Sequence, residues 1–309
     1  MEQTKKQTNT KTKKSASTSQ KGSAPASQRK KQQRLQELVR FAVQALFFVL
    51  FPSAYASAFA GVKYIFTQIG AHQLIGFTPF VAILVTLCAY TVVFGRFFCG
   101  YVCAFGSVND WIFWIHKAVS RRRGKRPLQI PDKVMVNLSV LKYLLLAVII
   151  VFCILQKFGV TGGWSPWDAF SQIRAGQFSS LEGYLAGCAL LGALLIGMIF
   201  SERFFCRVFC PMGAVFSLLP VFPWLTVRRD RQQCIAGCKA CEKACPALVS
   251  LPDIGSPDTP GDCFQCHKCV CTCPRSNVTT KVRWIRGDDL WLTMIRALIL
   301  VGLFIWLGV

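Results

Sequence analysis

Residues 95–108 read GRFFCGYVCAFGSV, and residues 202–215 read ERFFCRVFCPMGAV. The two stretches match, with the same spacing throughout, at the arginine, at both phenylalanines that follow it, at both cysteines and at one glycine. The chain therefore contains an internal duplication. Each copy follows an uncharged apolar run. The motif thus places two pairs of cysteines, Cys99 with Cys103 and Cys206 with Cys210, at equivalent ends of hydrophobic segments.

The apolar runs are long enough to span a lipid bilayer. Of the 309 residues, 53% are hydrophobic and only 16% are charged, a balance far from that of an average soluble domain. A transmembrane helix needs about 20 predominantly apolar residues. Five stretches qualify: 41–62, 77–95, 137–156, 181–200 and 290–309. We therefore predict an α-helical polytopic membrane protein with about five transmembrane helices.

The basic residues alternate between the loops. Of 36 Lys and Arg residues, 11 lie in 1–40, 8 in 96–136 and 12 in 202–287. Loops rich in Lys and Arg stay on the cytoplasmic side. We predict a multi-pass protein of the plasma (inner) membrane with a cytoplasmic N-terminus and an external C-terminus. The net charge of +22 follows membrane topology, which argues against nucleic-acid binding. We expect Lys142 and Arg296, inside predicted spans, to extend their stems to the interface.

These boundaries divide the chain into six predicted segments. They are a disordered basic cytoplasmic tail (1–38), two spans with the first cysteine motif and an interfacial helix (39–120), a basic cytoplasmic loop (121–136), two further spans with the second motif and an interfacial helix (137–228), a small α+β domain of the two-cluster bacterial ferredoxin type (229–285) and a last span (288–309). The apolar run ending in AYASAFAG also resembles a signal peptide with its cleavage site, so cleavage there stays open.

Cysteine usage fits these compartments. Thirteen of the 16 cysteines fall in segments predicted to be cytoplasmic, and three fall within spans. Because cytosolic thiols stay reduced, a disulfide framework is the wrong interpretation. Metal or cluster ligation is the chemistry that such a pattern indicates.

Two cysteine runs carry the strongest chemical signal. They read CIAGCKACEKACP from residue 234 and CFQCHKCVCTCP from residue 263. In two-cluster ferredoxins three closely spaced thiolates hold one cubane, while the fourth, before proline, binds the neighbouring cluster. We therefore predict two [4Fe-4S] clusters. The cluster I cysteines are Cys234, Cys238, Cys241 and Cys273, and the cluster II cysteines are Cys263, Cys266, Cys269 and Cys245.

Three features of these runs leave alternatives. Paired cysteines also suit zinc, although zinc has no use for the trailing Cys-Pro in both runs. Three residues rather than two separate Cys234 from Cys238, which loosens one loop without removing a ligand. Cys271 is surplus, so it is either a bystander or a substitute ligand.

The duplicated motif suggests a third centre. Cysteines four residues apart on a helix lie on one side, about 5–6 Å from each other. Both motifs follow spans that run in the same direction, so both reach the cytoplasmic membrane edge. The four membrane-edge cysteines, Cys99, Cys103, Cys206 and Cys210, could bind a shared iron or iron–sulfur centre. Packing thiols or redox thiols without metal are the alternative.

Aromatic segments flank the motifs. SVNDWIFWIHKAV and AVFSLLPVFPWL follow the two copies, and we expect both to be interfacial helices on the cytoplasmic side. On the opposite side, TGGWSPWDAFSQI at 161–173 is either a docking site for an external partner or quinone headgroup, or an aromatic membrane anchor.

Residues 40–285 resemble the membrane polyferredoxins of the NapH/NosR type, with paired spans ending in FFCGYVC and FFCRVFCP before a two-cluster ferredoxin segment. Ala104 departs from the family pattern, which has proline there. The resemblance implies an electron-transfer subunit, itself non-catalytic, that links a cytoplasmic or quinone-pool donor to an extracytoplasmic or membrane reductase or flavoprotein. A membrane-bound redox sensor or a maturation factor using the same clusters is the alternative.

Overall fold

A computed structural model describes residues 26–125, 127–157, 163–174, 176–222, 225–256, 258–280 and 289–308. The chain is mainly helical. Its helices are α1 (Ala26–Leu50), α2 (Ala54–Gly70), α3 (Pro79–Phe94), α4 (Ala104–Arg122), α5 (Asp132–Leu138), α6 (Leu141–Ile154), α7 (Pro166–Arg174), α8 (Leu185–Phe200), α9 (Phe204–Val208), α10 (Pro211–Leu218), α11 (Ala240–Lys243), α12 (Lys268–Thr272) and α13 (Asp289–Leu307). Two strands, β1 (Val227–Arg229) and β2 (Val278–Thr280), complete it.

Three helical segments are long and apolar enough to cross a membrane: Asp132–Ile154, Leu181–Phe200 and Leu290–Leu307. Most of their apolar surface lies on the outside of the protein, since at most 28% of each apolar window is buried. Exposed apolar surface on this scale requires lipid. The prediction of a helical membrane protein is confirmed, with three spans, or four if a bent pair forms one span.

The first predicted span, 41–62, is wrong as a single helix. Helix α1 ends at Leu50, and the axis of α2 is bent by 62° relative to that of α1. Pro52 lies at the break, where its missing N–H and its ring interrupt a helix. The apolar run in the sequence continues across this break because the residues on both sides of Pro52 are apolar. The second predicted span forms only the 16-residue helix α3, which is about 24 Å long.

The tail and the interfacial segments also differ from expectation. The predicted tail, 1–38, lies partly outside the described residues, and its last part, 26–38, is helical because it belongs to α1. The first predicted interfacial segment forms α4, whereas the second begins in α10, which ends at Leu218, and its last part lies partly outside the described residues.

Residues 227–280 form a small unit of short elements. β1 and β2 pair antiparallel, with Val227 opposite Thr280 and Arg229 opposite Val278. Val227, Val278 and Leu251 are buried there together with three cysteines. This small core is separate from the main one, which lies between the helices.

Candidate metal centres

The duplicated motif forms a turn at each span end. In the first copy, Cys99 lies in a π-helical turn, Phe98–Val102, and Cys103 lies between that turn and α4. In the second copy, Cys206 lies in α9 and Cys210 caps α10, where its sulfur accepts a hydrogen bond from the Gly213 N–H at 3.1 Å. The expected single helix through each pair is therefore wrong. A break separates the two thiols, and the second cysteine lies at a helix start, which favours thiolate.

All four membrane-edge cysteines are buried, with exposures of 3–6%. Burial raises the pKa of Cys103 and Cys210 well above the usual value, and that of Cys206 to about 11. Thiolates of the same group raise each pKa further. The thiols thus lie close enough to act on one another. Metal binding requires thiolates, so a bound cation would have to offset the cost of this burial.

A cluster and a single ion place different demands on the thiols. Within the described ranges, no three His, Cys, Asp or Glu side chains could hold one metal ion between them. Thiolates around a single zinc ion lie about 3.8 Å from one another, given bonds of about 2.3 Å. In a cubane each cysteine binds a different iron, so the sulfurs can lie farther apart.

Two arginines of the motif cross between the copies. Arg203 of the second copy lies against Gly106 of the first, and Arg96 of the first lies against Gly213 of the second. Both arginines are almost wholly buried. At Gly106 a methyl group would collide with the guanidinium and with the Cys99 carbonyl oxygen, and at Gly213 it would be tightly packed against the guanidinium and the Cys206 carbonyl oxygen. The spacing of Arg, Cys and Gly that the two copies share therefore builds a reciprocal lock, in which the arginine of each copy packs on the glycine of the other.

The two arginines have different partners. Arg203 donates to the carbonyl oxygens of Cys99 and Gly100 and to both carboxylate oxygens of Asp110. Arg96 donates from Nη1 to Asp262 at 2.8 Å, while its Nε and Nη2 are buried without a hydrogen-bond partner. Arg96 also lies within electrostatic reach of Cys99, Cys206 and Cys210. The Arg96 guanidinium therefore lies near these thiols, and its Nη2 lies beside Gly213.

Buried positive charge exceeds buried negative charge at this place. Asp110 pairs with Arg40 and Arg203 at 2.5 Å each, and Asp262 pairs with Arg96 and with Lys142. Four cations therefore share two carboxylates. Burial alone would raise the pKa of Asp110, but the guanidinium groups of Arg203 and Arg40 hold it below its usual value. Uncompensated buried charge is costly, so an anionic group beside the four thiols would balance the site.

Cys245 lies near the other three cluster II cysteines. Burial raises the pKa of Cys263 to about 12, and it also raises the pKa of Cys266 and Cys269. Cys245 acts on all three, although it belongs to the other run. A ligand exchanged between runs is the arrangement of a two-cluster ferredoxin.

Of the cluster I cysteines, Cys234 lies near Cys241 of its own run and near Cys273 of the other run. Burial raises the pKa of Cys234, and Cys273 and Cys241 raise it further. Cys273 accepts a hydrogen bond from the Asn277 N–H at 3.3 Å. The surplus Cys271 donates a hydrogen bond from its thiol to the side-chain oxygen of Gln36 in α1.

Several side chains in this region have roles that sequence reasoning missed. Lys142 and Arg296 do not extend to an interface, because they are 2% and 0% exposed inside the protein. Lys142 pairs with Asp262, and Arg296 donates to the Leu225 carbonyl oxygen. A lysine inside a span was the available signal, but its partner lies 120 residues away.

The predicted external segment, 161–173, is partly outside the described residues. Its described part includes Trp167, which is 9% exposed and packs against Phe59 and Phe205. Trp167 is therefore part of the protein core and not a membrane anchor. Trp164, in contrast, is 64% exposed, as a membrane anchor would be.

A family of iron–sulfur proteins matches the two parts of the chain that contain the duplicated motif. The 4Fe-4S binding domain family matches residues 77–126 and 185–225, ranges that contain the four membrane-edge cysteines and none of the eight ferredoxin-type cysteines. No solved structure matches the chain.

The chain is similar to three characterised types of relative. It is 29% identical to Protein NirI of Paracoccus denitrificans over 56% of this chain and 24% of the relative. It is 28% identical to the ferredoxin-type protein NapH of Escherichia coli over 67% and 68%, and 26% identical to the regulatory protein NosR of Pseudomonas aeruginosa over 63% and 26%. The chain thus spans about a quarter of NirI and of NosR. The resemblance to NapH/NosR-type membrane ferredoxin-type proteins is confirmed.

Proposed function

We propose that this chain is a membrane-bound iron–sulfur electron-transfer subunit. The observation that carries the proposal is the set of four buried membrane-edge cysteines, held beside an excess of buried positive charge and packed directly against a ferredoxin-type segment. Iron–sulfur centres supply the redox chemistry, and the protein supplies ligation, spacing and electrostatics.

Eight cysteines would hold two [4Fe-4S] clusters in the ferredoxin-type segment. The cluster I and cluster II cysteines each combine three thiols of one run with one thiol of the other. The effects of Cys273 on the pKa of Cys234 and of Cys245 on those of Cys263 and Cys269 support this division, and Cys241 acts on Cys269 across it. A small α+β ferredoxin-type fold for residues 229–285 agrees with the short strands and helices found there.

The membrane-edge cysteines would hold a third centre. Cys99 and Cys103 come from one copy of the motif, and Cys206 and Cys210 come from the other. An iron–sulfur group bound by four thiolates is anionic and would meet the excess of cations, including the two unpaired donors of Arg96. The fit of these residues supports an iron–sulfur centre more strongly than spacing alone.

The remaining proposals concern orientation and partners. We propose that the chain crosses the inner membrane about five times, with the N-terminus and the ferredoxin-type segment in the cytoplasm and the C-terminal end of α13 outside. Electrons would pass between a cytoplasmic or quinone-pool donor and an extracytoplasmic or membrane partner, such as a reductase or a flavoprotein. The positive-inside distribution of Lys and Arg supports this orientation.

Metal analysis tests the proposal. Protein purified without oxygen should contain iron and acid-labile sulfide for more than two cubanes, that is, more than about eight irons per chain. Replacing all four membrane-edge cysteines by alanine should remove only the excess above eight. Zinc without iron or sulfide would overturn the assignment, and an unchanged iron content in the fourfold variant would overturn the third centre.

A further inference from the structure

One loop of the ferredoxin-type segment lies inside the duplicated motif. This loop, Gly261–Gln265, contains the first cluster II cysteine. Phe264 is 2% exposed and belongs to the main helical core, and Cys266 of cluster II packs against that core, whereas Cys241 and Cys273 of cluster I lie in the separate small core together with Cys269 of cluster II. The Phe264 carbonyl lies so close to Gly100 that no side chain could be placed there. At this point the backbone of the loop packs directly on the backbone of the first motif copy.

The side chains of the loop engage both copies of the motif. The Phe264 ring lies between two guanidinium groups, 4.9 Å from that of Arg96 and 5.7 Å from that of Arg203. Arg203 lies within electrostatic reach of both Cys206 and Cys266, one from each proposed centre. A pair of cation–π contacts at a buried ring holds it in one place.

Asp262 fastens the same loop to the membrane helices. Its Oδ1 accepts hydrogen bonds from Arg96 Nη1 at 2.8 Å and from Lys142 Nζ at 2.5 Å. Lys142 belongs to α6, so the carboxylate ties a third element to the loop. Gly261 packs against the Ser217 carbonyl of α10 as well. The loop therefore contacts both motif copies, α6 and α10.

We propose that Gly261–Gln265 is the electron-transfer junction of the protein, with Asp262 and Phe264 as positioning residues that hold cluster II, rather than cluster I, next to the membrane-edge centre. This inference rests on the proposed function. When the centres are bound, cluster II would lose one electron as the membrane-edge centre gains it, and electrons entering at cluster I would pass through cluster II. The loop residues themselves hold the ligands of the two centres in place.

The test uses the full-length holoprotein in detergent micelles and two variants. Asp262→Asn removes the carboxylate charge from the junction, and Lys142→Met removes one of its partners without touching the ferredoxin-type segment. Asp253→Asn is the matched control, because Asp253, like Asp262, pairs with two basic side chains, and its own side chain is 43% exposed against 40% for Asp262. Asp253 contacts neither motif copy in these pairs.

Three measurements are made on each protein: iron content, magnetic coupling between reduced centres by electron paramagnetic resonance, and the rate at which the membrane-edge centre is reduced by methyl viologen radical. We expect both junction variants to keep their iron but to lose the coupling and slow the reduction, while Asp253→Asn behaves as wild type. Wild-type coupling and rate in both junction variants would overturn the junction.

Hydrogen exchange separates this inference from the proposed function. Amides of residues 261–265 should be protected in the wild type and should exchange faster in both junction variants. Iron limited to about eight per chain in the wild type would overturn the third centre and, with it, the transfer step. Excess iron together with unaltered exchange and coupling in the variants would overturn the junction alone.

Discussion

Replacing Gly106 by alanine tests the lock between the two motif copies. A methyl group at Gly106 would lie less than 3.0 Å from Arg203 Nη1 and from the Cys99 carbonyl oxygen, the donor and acceptor of one hydrogen bond. Losing a hydrogen bond to a charged group costs about 1.5–3 kcal/mol, and overpacking adds about 1–3 kcal/mol. Alanine in a helix returns about 0.5–1 kcal/mol. We expect a net loss of about 1.5–5.5 kcal/mol, worked from these magnitudes.

Two matched glycines define the scale of the effect. A methyl at Gly213, the equivalent position, would lie 3.0 Å from Arg96 Nη2 and from the Cys206 carbonyl oxygen, and that nitrogen has no hydrogen bond to lose. We expect a smaller loss there, about 1 kcal/mol. Gly192 of α8 faces open space, so Gly192→Ala should be neutral or stabilising by up to about 1 kcal/mol.

Thermal unfolding in micelles, followed by circular dichroism at one scan rate, measures this series. A loss of this size should lower the Tm of Gly106→Ala by about 2–8 °C, given an unfolding entropy of about 2.1 cal/mol/K per residue. The same variant should bind less iron above eight per chain, because Arg203 holds the Cys99 backbone. A Gly106→Ala protein as stable as Gly192→Ala would refute the reciprocal lock between Arg203 and the first copy.

Three further predictions address the clusters, the core and the topology. Cys245→Ser should remove the signal of cluster II, whereas Cys271→Ser, a change at a thiol bonded to α1, should leave iron content unaltered. Trp167→Ala should lower stability by about 3–5 kcal/mol, measured by thermal unfolding, whereas exposed Trp164→Ala should change it little. A reporter active only outside the cytoplasm should work when fused at the end of α13 and stay silent after Thr280; the reverse result would invert the orientation.

Much of the architecture follows from local properties of the chain. Hydropathy summed over 20 residues measures the free energy of transfer into lipid, so the spans in α6, α8 and α13 lie where the sequence predicts them. The break at Pro52 also had a local signal, but the apolar run on both sides hid it. The small core with its cysteine runs was equally predictable in position, because ligand spacing within one loop is a sequence property.

The partners of the buried charges were not predictable. Lys142 lies inside an apolar run, and nothing near it in the sequence indicates Asp262 as its acceptor. Likewise the crossing of Arg96 to Gly213 and of Arg203 to Gly106 joins residues from different copies. A duplicated motif shows that two similar turns exist, but not that each turn completes the other.

The sequence by itself therefore determined the membrane class, the positions of the main spans and the sixteen thiols from which any centre must be built. Only the tertiary structure decided that four thiols share a buried site with surplus cations, and that Gly261–Gln265 enters this site. The physical reason is the separation along the chain of the residues that interact. Transfer to lipid and ligand spacing depend on residues adjacent in the chain, whereas a buried charge selects its partner by packing, and packing brings together elements that are distant in sequence.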